Sequence, residues 1–398
     1  MLVANREDGM KISLGDCRDL QELLQWRSRE TFLCPECGTQ VILKLGTKRI
    51  WHFSHQSGKS CAVENERESA YHMSGKLQLY HWLKEQGISA ELEKYIPGCR
   101  QRADIALEWN QERYAIEYQC SAISAELFKK RTTGYIENGY IPIWILGGNQ
   151  LNRMGPELIS FNHFQYLFLR KQQGRWQLPI YCPETRQFII LNDILPVSSR
   201  KILASLSLKV RHSTFLSDLI TPLPKKIDSL ASWILELNKL KRTCFVYPGT
   251  LQKQLLNELY ANRLNLLTLP PEIGLPLASG PYIETPALVW QTFLYIDVFR
   301  HAVPGETVSY SGIFQSFTNR LKRRQIMTRD LPQSGQGNCT DALSDYLRLL
   351  EKVSFIEKAG LNYFKILRAL EVPSSIDDQA LKEKNFYDTY RGILIDLL

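Results

Sequence analysis

Apolar positions 79, 80 and 83 fall on one face of a helical pattern spanning 65–86, and Gly87 ends it. A strand-like run at 88–96 and a Pro97-Gly98 turn follow. Positions 102–109 and 113–119 then alternate with period two around Asn110-Gln111, which predicts an antiparallel hairpin. A second helix is predicted over 124–138. The aliphatic and aromatic run at 140–146, closed by Gly147-Gly148, reads as a further strand. The predicted order is helix, three strands, helix, strand.

Ahead of this core, residues 1–63 carry short strand-like runs at 39–45 and 49–53 and are expected to form a small hairpin module without a core of its own. Behind it, runs at 164–169 and 176–191, broken by Gln173-Gly174 and Pro183-Glu184-Thr185, suggest a small meander. With the helical pattern from 215 to 262 it makes up a region 151–270 whose function is not legible. Pro270, Pro271, Pro276, Pro281 and Pro286 mark a linker. Over 285–372, helices at 287–301, 310–324 and 341–353 and a strand-turn-strand at 355–366 make a winged-helix pattern. In the tail, 373–398, Phe386, Tyr390, Ile393 and Leu397 lie at helical spacing, for packing or for a partner.

Composition narrows the class. A chain of 398 residues, 44% hydrophobic and 23% charged, suggests two or three soluble domains. It shows no membrane-spanning run, and its mixed, charged start does not read as a secretory leader. Nine scattered cysteines suit a reducing cytoplasm. The net charge of +8 favours a polyanionic partner.

The chemistry-bearing residues are ordered along the chain. Cys34 and Cys37 share one tight turn, and His52 and His55 follow at hairpin distance, enough donors to close a tetrahedral zinc site; Cys61 rivals either histidine. With Asn110-Gln111 at the hairpin turn, Trp109 faces Glu112, and the register sets Asp104 opposite Glu117 on one face. A divalent cation between them would relieve their repulsion. Gln119 projects from the same face as Glu117. Glu68, His72 and Lys76, spaced by four, form one helical stripe. This set suits phosphodiester hydrolysis: Asp104 and Glu117 as Mg²⁺ or Mn²⁺ ligands, Gln119 orienting water, Glu68 as a third acid, and His72 and Lys76 toward phosphate or water. Glu68 alternatively belongs to an acidic first helical turn with Glu64 and Glu66.

In combination, Cys34-Pro35-Glu36-Cys37, His52-Phe53-Ser54-His55, Glu68-Ser69 with His72 and Lys76, Arg102-Ala103-Asp104-Ile105, Glu117-Tyr118-Gln119 and Ile143-Trp144-Ile145-Leu146 resemble the competence protein CoiA-like family. The resemblance covers roughly the first 150 residues. It implies an α/β restriction-endonuclease-like core (αβββαβ) of the PD-(D/E)XK type over 64–150. An N-terminal zinc-binding β-hairpin module precedes that core, and a helical, winged-helix region follows it. It also implies bacterial DNA processing in natural transformation, with incoming single strands channelled to recombination. Gln119 stands where the wider nuclease superfamily has lysine.

Three functions remain open: a nuclease acting on single-stranded or branched DNA, a non-catalytic mediator serving a RecA-type recombinase or helicase, and a winged-helix DNA-binding regulator. Lys129, Lys130 and Arg131 on the second core helix, and Arg320, Lys322, Arg323, Arg324 and Arg329 further on, are candidates for phosphate contact.

Overall fold

The computed structural model describes residues 1–17, 19–47, 49–56, 68–221 and 229–396. In chain order the helices and strands are β1 (Val3–Arg6), β2 (Lys11–Ser13), α1 (Leu20–Arg29), β3 (Phe32–Leu33), β4 (Gln40–Lys44), β5 (His52–His55), α2 (Ala70–Glu85), β6 (Ala90–Ile96), β7 (Gln101–Trp109), β8 (Glu112–Gln119), α3 (Ala125–Glu137) and β9 (Ile141–Gly147). They continue with β10 (Asn152–Arg153), β11 (Leu158–Ser160), α4 (His163–Tyr166), β12 (Arg170–Gln172), β13 (Arg175–Cys182), β14 (Gln187–Ser198), β15 (Lys201–Val210), α5 (Leu216–Ile220), α6 (Leu230–Val246) and α7 (Thr250–Ala261). The last are α8 (Ala287–Leu294), β16 (Thr307–Ser309), α9 (Tyr310–Lys322), α10 (Cys339–Lys352), β17 (Ile356–Lys358), β18 (Tyr363–Ile366) and α11 (Ile376–Asp396). The chain divides into two compact units, one of residues 1–151, 178–191 and 207–223, the other of residues 152–177, 192–206 and 224–398.

In the first unit the N-terminal segment is more than a hairpin. Strands β1 to β5 form an antiparallel sheet in the order β2-β1-β3-β4-β5. Contrary to expectation it has its own apolar cluster, in which Leu23 of α1 packs with Ala4, Ile12, Phe32, Val41, Leu43 and Phe53. Distant short strands, each contributing one or two inward side chains, supply that core.

Next comes the expected order of helix, three strands, helix, strand. Strands β6, β7 and β8 are antiparallel neighbours, and β9 lies parallel to β8, so the sheet is mixed. Asn110 and Gln111 both have left-handed φ (51° and 65°) and Trp109 pairs with Glu112, the tight turn that sets the hairpin register. Leu79 and Leu83 of α2 pack on Ile105, Leu107, Ile116, Tyr118 and Ile143. On α3, Phe128 stacks on Trp144 at 4.0 Å, and Tyr135 joins Ala103, Ala106 and Ala115.

Helix α2 begins at Ser69, whose side chain accepts from the His72 N–H. Gly75 allows this helix to approach the sheet: a Cβ there would lie 2.0 Å from a Tyr118 ring carbon. Gly75→Ala is expected to lower stability by about 1–3 kcal/mol despite its better helix propensity. The urea midpoint at constant m-value reads this loss.

In the second unit the proline-rich stretch is not a linker. Leu269, Ile273, Leu275, Leu277 and Ile283 are all buried in one cluster, which extends from Leu230 of α6 to Leu394 of α11. Gln291 makes this burial workable. Its side chain accepts from the Gly274 and Leu275 N–H groups (2.7 and 2.8 Å) and donates to the Leu275 carbonyl, satisfying backbone that has no strand partner there. Residues from 230 onward in the segment 151–270, together with 285–372 and 373–398, expected as separate parts, therefore share one core, with Phe386, Tyr387 and Leu394 seating α11 in it, whereas 178–191 and 207–223 belong to the first unit. Within this unit α8, β16, α9, α10, β17 and β18 succeed one another, and the three strands form a sheet in the order β16-β18-β17.

Candidate functional site

The ladder between β6 and β7 pairs Leu92 with Ile105 and Lys94 with Ala103. Between those pairs, Glu93 has left-handed backbone (φ 50°). Leu92 packs in the cluster beneath α2, and the neighbouring Glu93 carboxylate also reaches α2, 2.6 Å from Lys76 Nζ. The strand's alternation is broken there. The partner strand does the same, because Ile105 packs under α2 while Asp104 turns to His72 and Lys76. Two consecutive residues on each strand thus face one helix.

The result is a carboxylate cluster at the start of α2. Single ligand atoms of Glu68, His72 and Asp104 all lie within 4.8 Å of one another. His72 Nε2 is 3.4 Å from Asp104 Oδ2, its Nδ1 is 3.8 Å from a Glu68 oxygen, and its ring stacks on Tyr118 at 5.7 Å. Asp104 Oδ2 accepts from the Tyr118 N–H at 3.0 Å. Lys76 is the centre of charge, paired with Glu68, Glu93 and Asp104. The side chains of Glu68, His72 and Asp104 keep 13%, 16% and 13% exposure, whereas Lys76 and Glu93 have 0% and 1%. Among the described residues, the Glu68, His72 and Asp104 side of the cluster keeps some exposure while the Lys76 and Glu93 side is closed.

Electrostatics follow from this arrangement. Burial opposes charge on Asp104, but the Lys76 ammonium and the His72 ring outweigh it and hold the carboxyl below its usual range. The same contest, decided by Lys76, puts Glu68 well below and Glu93 below that range. His72 is raised: burial works against the imidazolium, and Asp104 more than restores it.

Glu117 is not in this cluster. The register aligns its strand with β7 as expected, but its side chain lies on the α3 side, where Arg131 donates to it at 2.6 Å and the Tyr135 hydroxyl donates as well. Burial pushes the Glu117 carboxyl up to about 7 against the pull of Arg131. The expected arrangement of Asp104 and Glu117 on one face is not found: Asp104 turns to α2 with Glu68 and His72, although its charge still helps raise the Glu117 carboxyl. Gln119 is buried, and its amide donates to the Ser121 carbonyl at 3.0 Å, anchoring the chain after β8. Lys76, expected near phosphate, is wholly enclosed by its carboxylates.

The second constellation joins Cys34, Cys37 and His55, again with ligand atoms within 4.8 Å. Cys37 Sγ is 3.3 Å from His55 Nε2. The Cys34 N–H donates to the Thr39 carbonyl and the Gly38 N–H to the Cys34 carbonyl, and Gly38 takes left-handed φ (67°) to close the turn. Burial raises the Cys34 thiol, whereas hydrogen bonds centred on Thr39 and His55 overcome burial and bring Cys37 to about 6. His52 is not part of the group. It lies three residues from His55 in one strand, hence on the opposite face, and its Nδ1 meets the Ile50 carbonyl at 2.8 Å. Cys61, its expected rival, lies outside the described residues.

The expected basic contacts divide. Lys129, Lys130, Lys322, Arg323 and Arg324 are exposed. Arg131 is spent on Glu117, and Arg329 is buried over the Tyr166 ring, donating to the Pro281 and Ile283 carbonyls. Arg320 is buried against Asp297 (2.5 Å) and Glu258 (2.6 Å). Arg320→Ala is expected to remove roughly 3 kcal/mol, the low end for breaking a buried pair because both carboxylates are partly solvated. Arg323→Ala is expected to change stability by less than about 0.5 kcal/mol. Paired urea titrations separate the two. Helix α10, third in the winged-helix pattern, leaves Arg348 and Lys352 as its exposed side chains, so it offers little face to a DNA groove.

Sequence reasoning missed Glu93, Arg102, Glu36 and Tyr135. Glu91 and Glu93 look alike in the sequence, and the left-handed turn of the backbone at Glu93 separates them.

Three family models match this chain: "Competence protein CoiA, N-terminal domain" over residues 15–64, "Competence protein CoiA, nuclease-like domain" over 68–224 and "Competence protein CoiA, C-terminal domain" over 229–380. A curated protein of Bacillus subtilis (strain 168), "Competence protein CoiA", is 31% identical over 331 residues, 83% of this chain and 88% of that protein. No solved structure matches. Among the described residues no helix is long and apolar enough to cross a membrane.

Proposed function

The chain belongs to the competence protein CoiA family, and from that premise we propose that it is a cytoplasmic DNA-processing protein. In this reading it binds single-stranded or branched DNA and cleaves or trims it with Mg²⁺ or Mn²⁺, supporting recombination of incoming strands in natural transformation. The observation that carries the reading is the Glu68, His72 and Asp104 cluster, partly exposed among the described residues, within a domain that matches a nuclease-like family model.

Two carboxylate oxygens and one imidazole nitrogen are a donor set that fits such a cation, and Glu68, His72 and Asp104 would hold it. Bound there, it would supply charge neutralisation on the phosphate and a more acidic water. The chain's own groups do the rest. The Tyr118 N–H fixes the Asp104 carboxylate, and the Tyr118 ring fixes the His72 plane. Lys76 keeps Glu68 and Asp104 ionised at neutral pH, so both remain available as ligands. Exposed Lys129 and Lys130 on α3 supply salt-sensitive backbone contact. The restriction-endonuclease-like assignment rests on the α2-β6-β7-β8-α3-β9 order. Cys34, Cys37 and His55 are the proposed zinc ligands, two thiolates and an imidazole on one knuckle.

End-labelled single-stranded, duplex and forked DNA, incubated with the protein in Mg²⁺ or Mn²⁺ and with chelator, test this. Cation-dependent cleavage is expected. Retention of single strands without cleavage of any substrate would instead favour a non-catalytic mediator, the reading in which the protein serves a RecA-type recombinase or helicase. Two observations favour that second reading: Lys76 already balances part of the carboxylate charge, and Gln119 is engaged with Ser121.

A further inference from the structure

Glu36 lies between Cys34 and Cys37, on the turn that carries the two thiols. Its side chain is 1% exposed and 3.0 Å from Arg102 Nη1, and the Arg102 side chain is 14% exposed. Arg102 is on β7, two residues before Asp104. Ala103, between them, packs with Tyr135 on the α3 side, so Arg102 lies on the same face as Asp104, and against burial the charges of Glu93, Glu36, Glu68 and Asp104 raise its guanidinium above its usual range. A second tie runs the same way: the Leu2 N–H donates to both Glu93 oxygens at 2.9 Å and the Val3 N–H to one at 3.2 Å. The N-terminal sheet therefore reaches the carboxylate cluster at two points, one through the Cys34–Cys37 turn itself.

We propose that Glu36 is a positioning residue through which the Cys34, Cys37 and His55 knuckle sets the divalent-cation affinity of the Glu68, His72 and Asp104 cluster, with Arg102 as the intermediary. The inference rests on the cation-binding reading of that cluster. Arg102 is a fixed positive charge facing the acids that hold the cation. A buried carboxylate at 3.0 Å on its far side offsets that charge and holds the guanidinium toward the knuckle. Loss of the Glu36 charge leaves Arg102 to the cluster, where it competes with the incoming cation. Disruption of the knuckle, by loss of its metal or oxidation of its thiols, moves Glu36 and has the same effect.

Calorimetric titration of Mn²⁺ into the full-length, zinc-loaded protein tests the proposal. Glu36→Gln is expected to weaken Mn²⁺ binding about tenfold, the scale of one unit charge acting over several ångströms at an effective dielectric of about 20. Arg102→Gln is expected to tighten it, and the double variant to return close to wild type. Zinc content and urea midpoint, measured alongside, report a role in holding the knuckle together. Lower zinc content or stability in Glu36→Gln with unchanged Mn²⁺ affinity overturns the proposal, as does an Arg102→Gln variant that binds Mn²⁺ no more tightly. If the wild type shows no Mn²⁺ site that Asp104→Asn removes, the cation reading of the cluster fails with it. If Asp104→Asn removes the site while Glu36→Gln leaves it untouched, the coupling alone fails.

Discussion

Asp104→Asn is expected to reduce cation-dependent DNA cleavage by about 10²–10³-fold while single-strand binding persists, the loss that several kcal/mol of phosphate charge stabilisation represents. Asparagine keeps the shape, and its carbonyl still accepts from the Tyr118 N–H, but it removes one of two carboxylates beside His72. Glu117→Gln serves as the contrast. Glu117 is buried against Arg131 and Tyr135 and stands outside the cluster, so its substitution should reduce cleavage far less. It should instead change the pH dependence of stability. A carboxyl raised to about 7 contributes stability that is complete below its unfolded value of about 4.3 and lost as pH rises through about 7. Glu117→Gln should flatten that decline. Parallel cleavage assays and pH-dependent urea titrations decide between the assignments. Equal losses of cleavage in both variants would show that the two carboxylates act as one site.

The hairpin was readable because two left-handed residues, Asn110 and Gln111, announce their turn, and its register follows by counting. The face on which Asp104 lies was not. It depends on a left-handed glutamate at position 93, and glutamate gives no sign of that backbone. His52 is the reverse case. Strand periodicity alone sets His52 and His55 on opposite faces, so the identical spacing that suggested four zinc donors also argued against one of them. Charge runs misled for a third reason. Arg131 and Arg320 belong to basic stretches in the sequence, but a helix turns each residue in a different direction, and these two turn inward to acids, Arg131 to the buried Glu117 and Arg320 to Glu258 and Asp297. The proline-rich stretch read as a linker because prolines break elements, yet its leucines and isoleucines needed a core, and Gln291 supplied the hydrogen bonds that let them enter it.

Lys76→Met should have the largest effect on stability, and its size should depend on pH. In the native protein Glu68, Glu93 and Asp104 are all held below their usual values, with Lys76 the strongest opponent of burial in each case. Such groups contribute stability that is present above their unfolded values, near 4, and lost as pH falls below them. Methionine fills nearly the same volume and forms no ion pair, leaving three neighbouring acids buried without their strongest cation, although the Met1 ammonium still pairs with Glu68 at 2.8 Å. About 3–5 kcal/mol should be lost at neutral pH, the range for an uncompensated buried charge. The acids respond by holding protons: burial and mutual repulsion now raise them, so their contribution is complete below about pH 4 and lost as pH rises. Between about pH 4 and 7, where these acids leave the wild type level and Glu117 already gives a decline, the variant should therefore lose stability more steeply as pH rises. Urea titrations of both proteins near pH 4.5 and near pH 7 measure the two slopes. A loss of equal size at both values would make Lys76 a packing residue and remove the charge argument for the cluster. A steeper decline in the variant would show that the ammonium keeps Glu68 and Asp104 ionised, the condition under which they can bind a divalent cation at all.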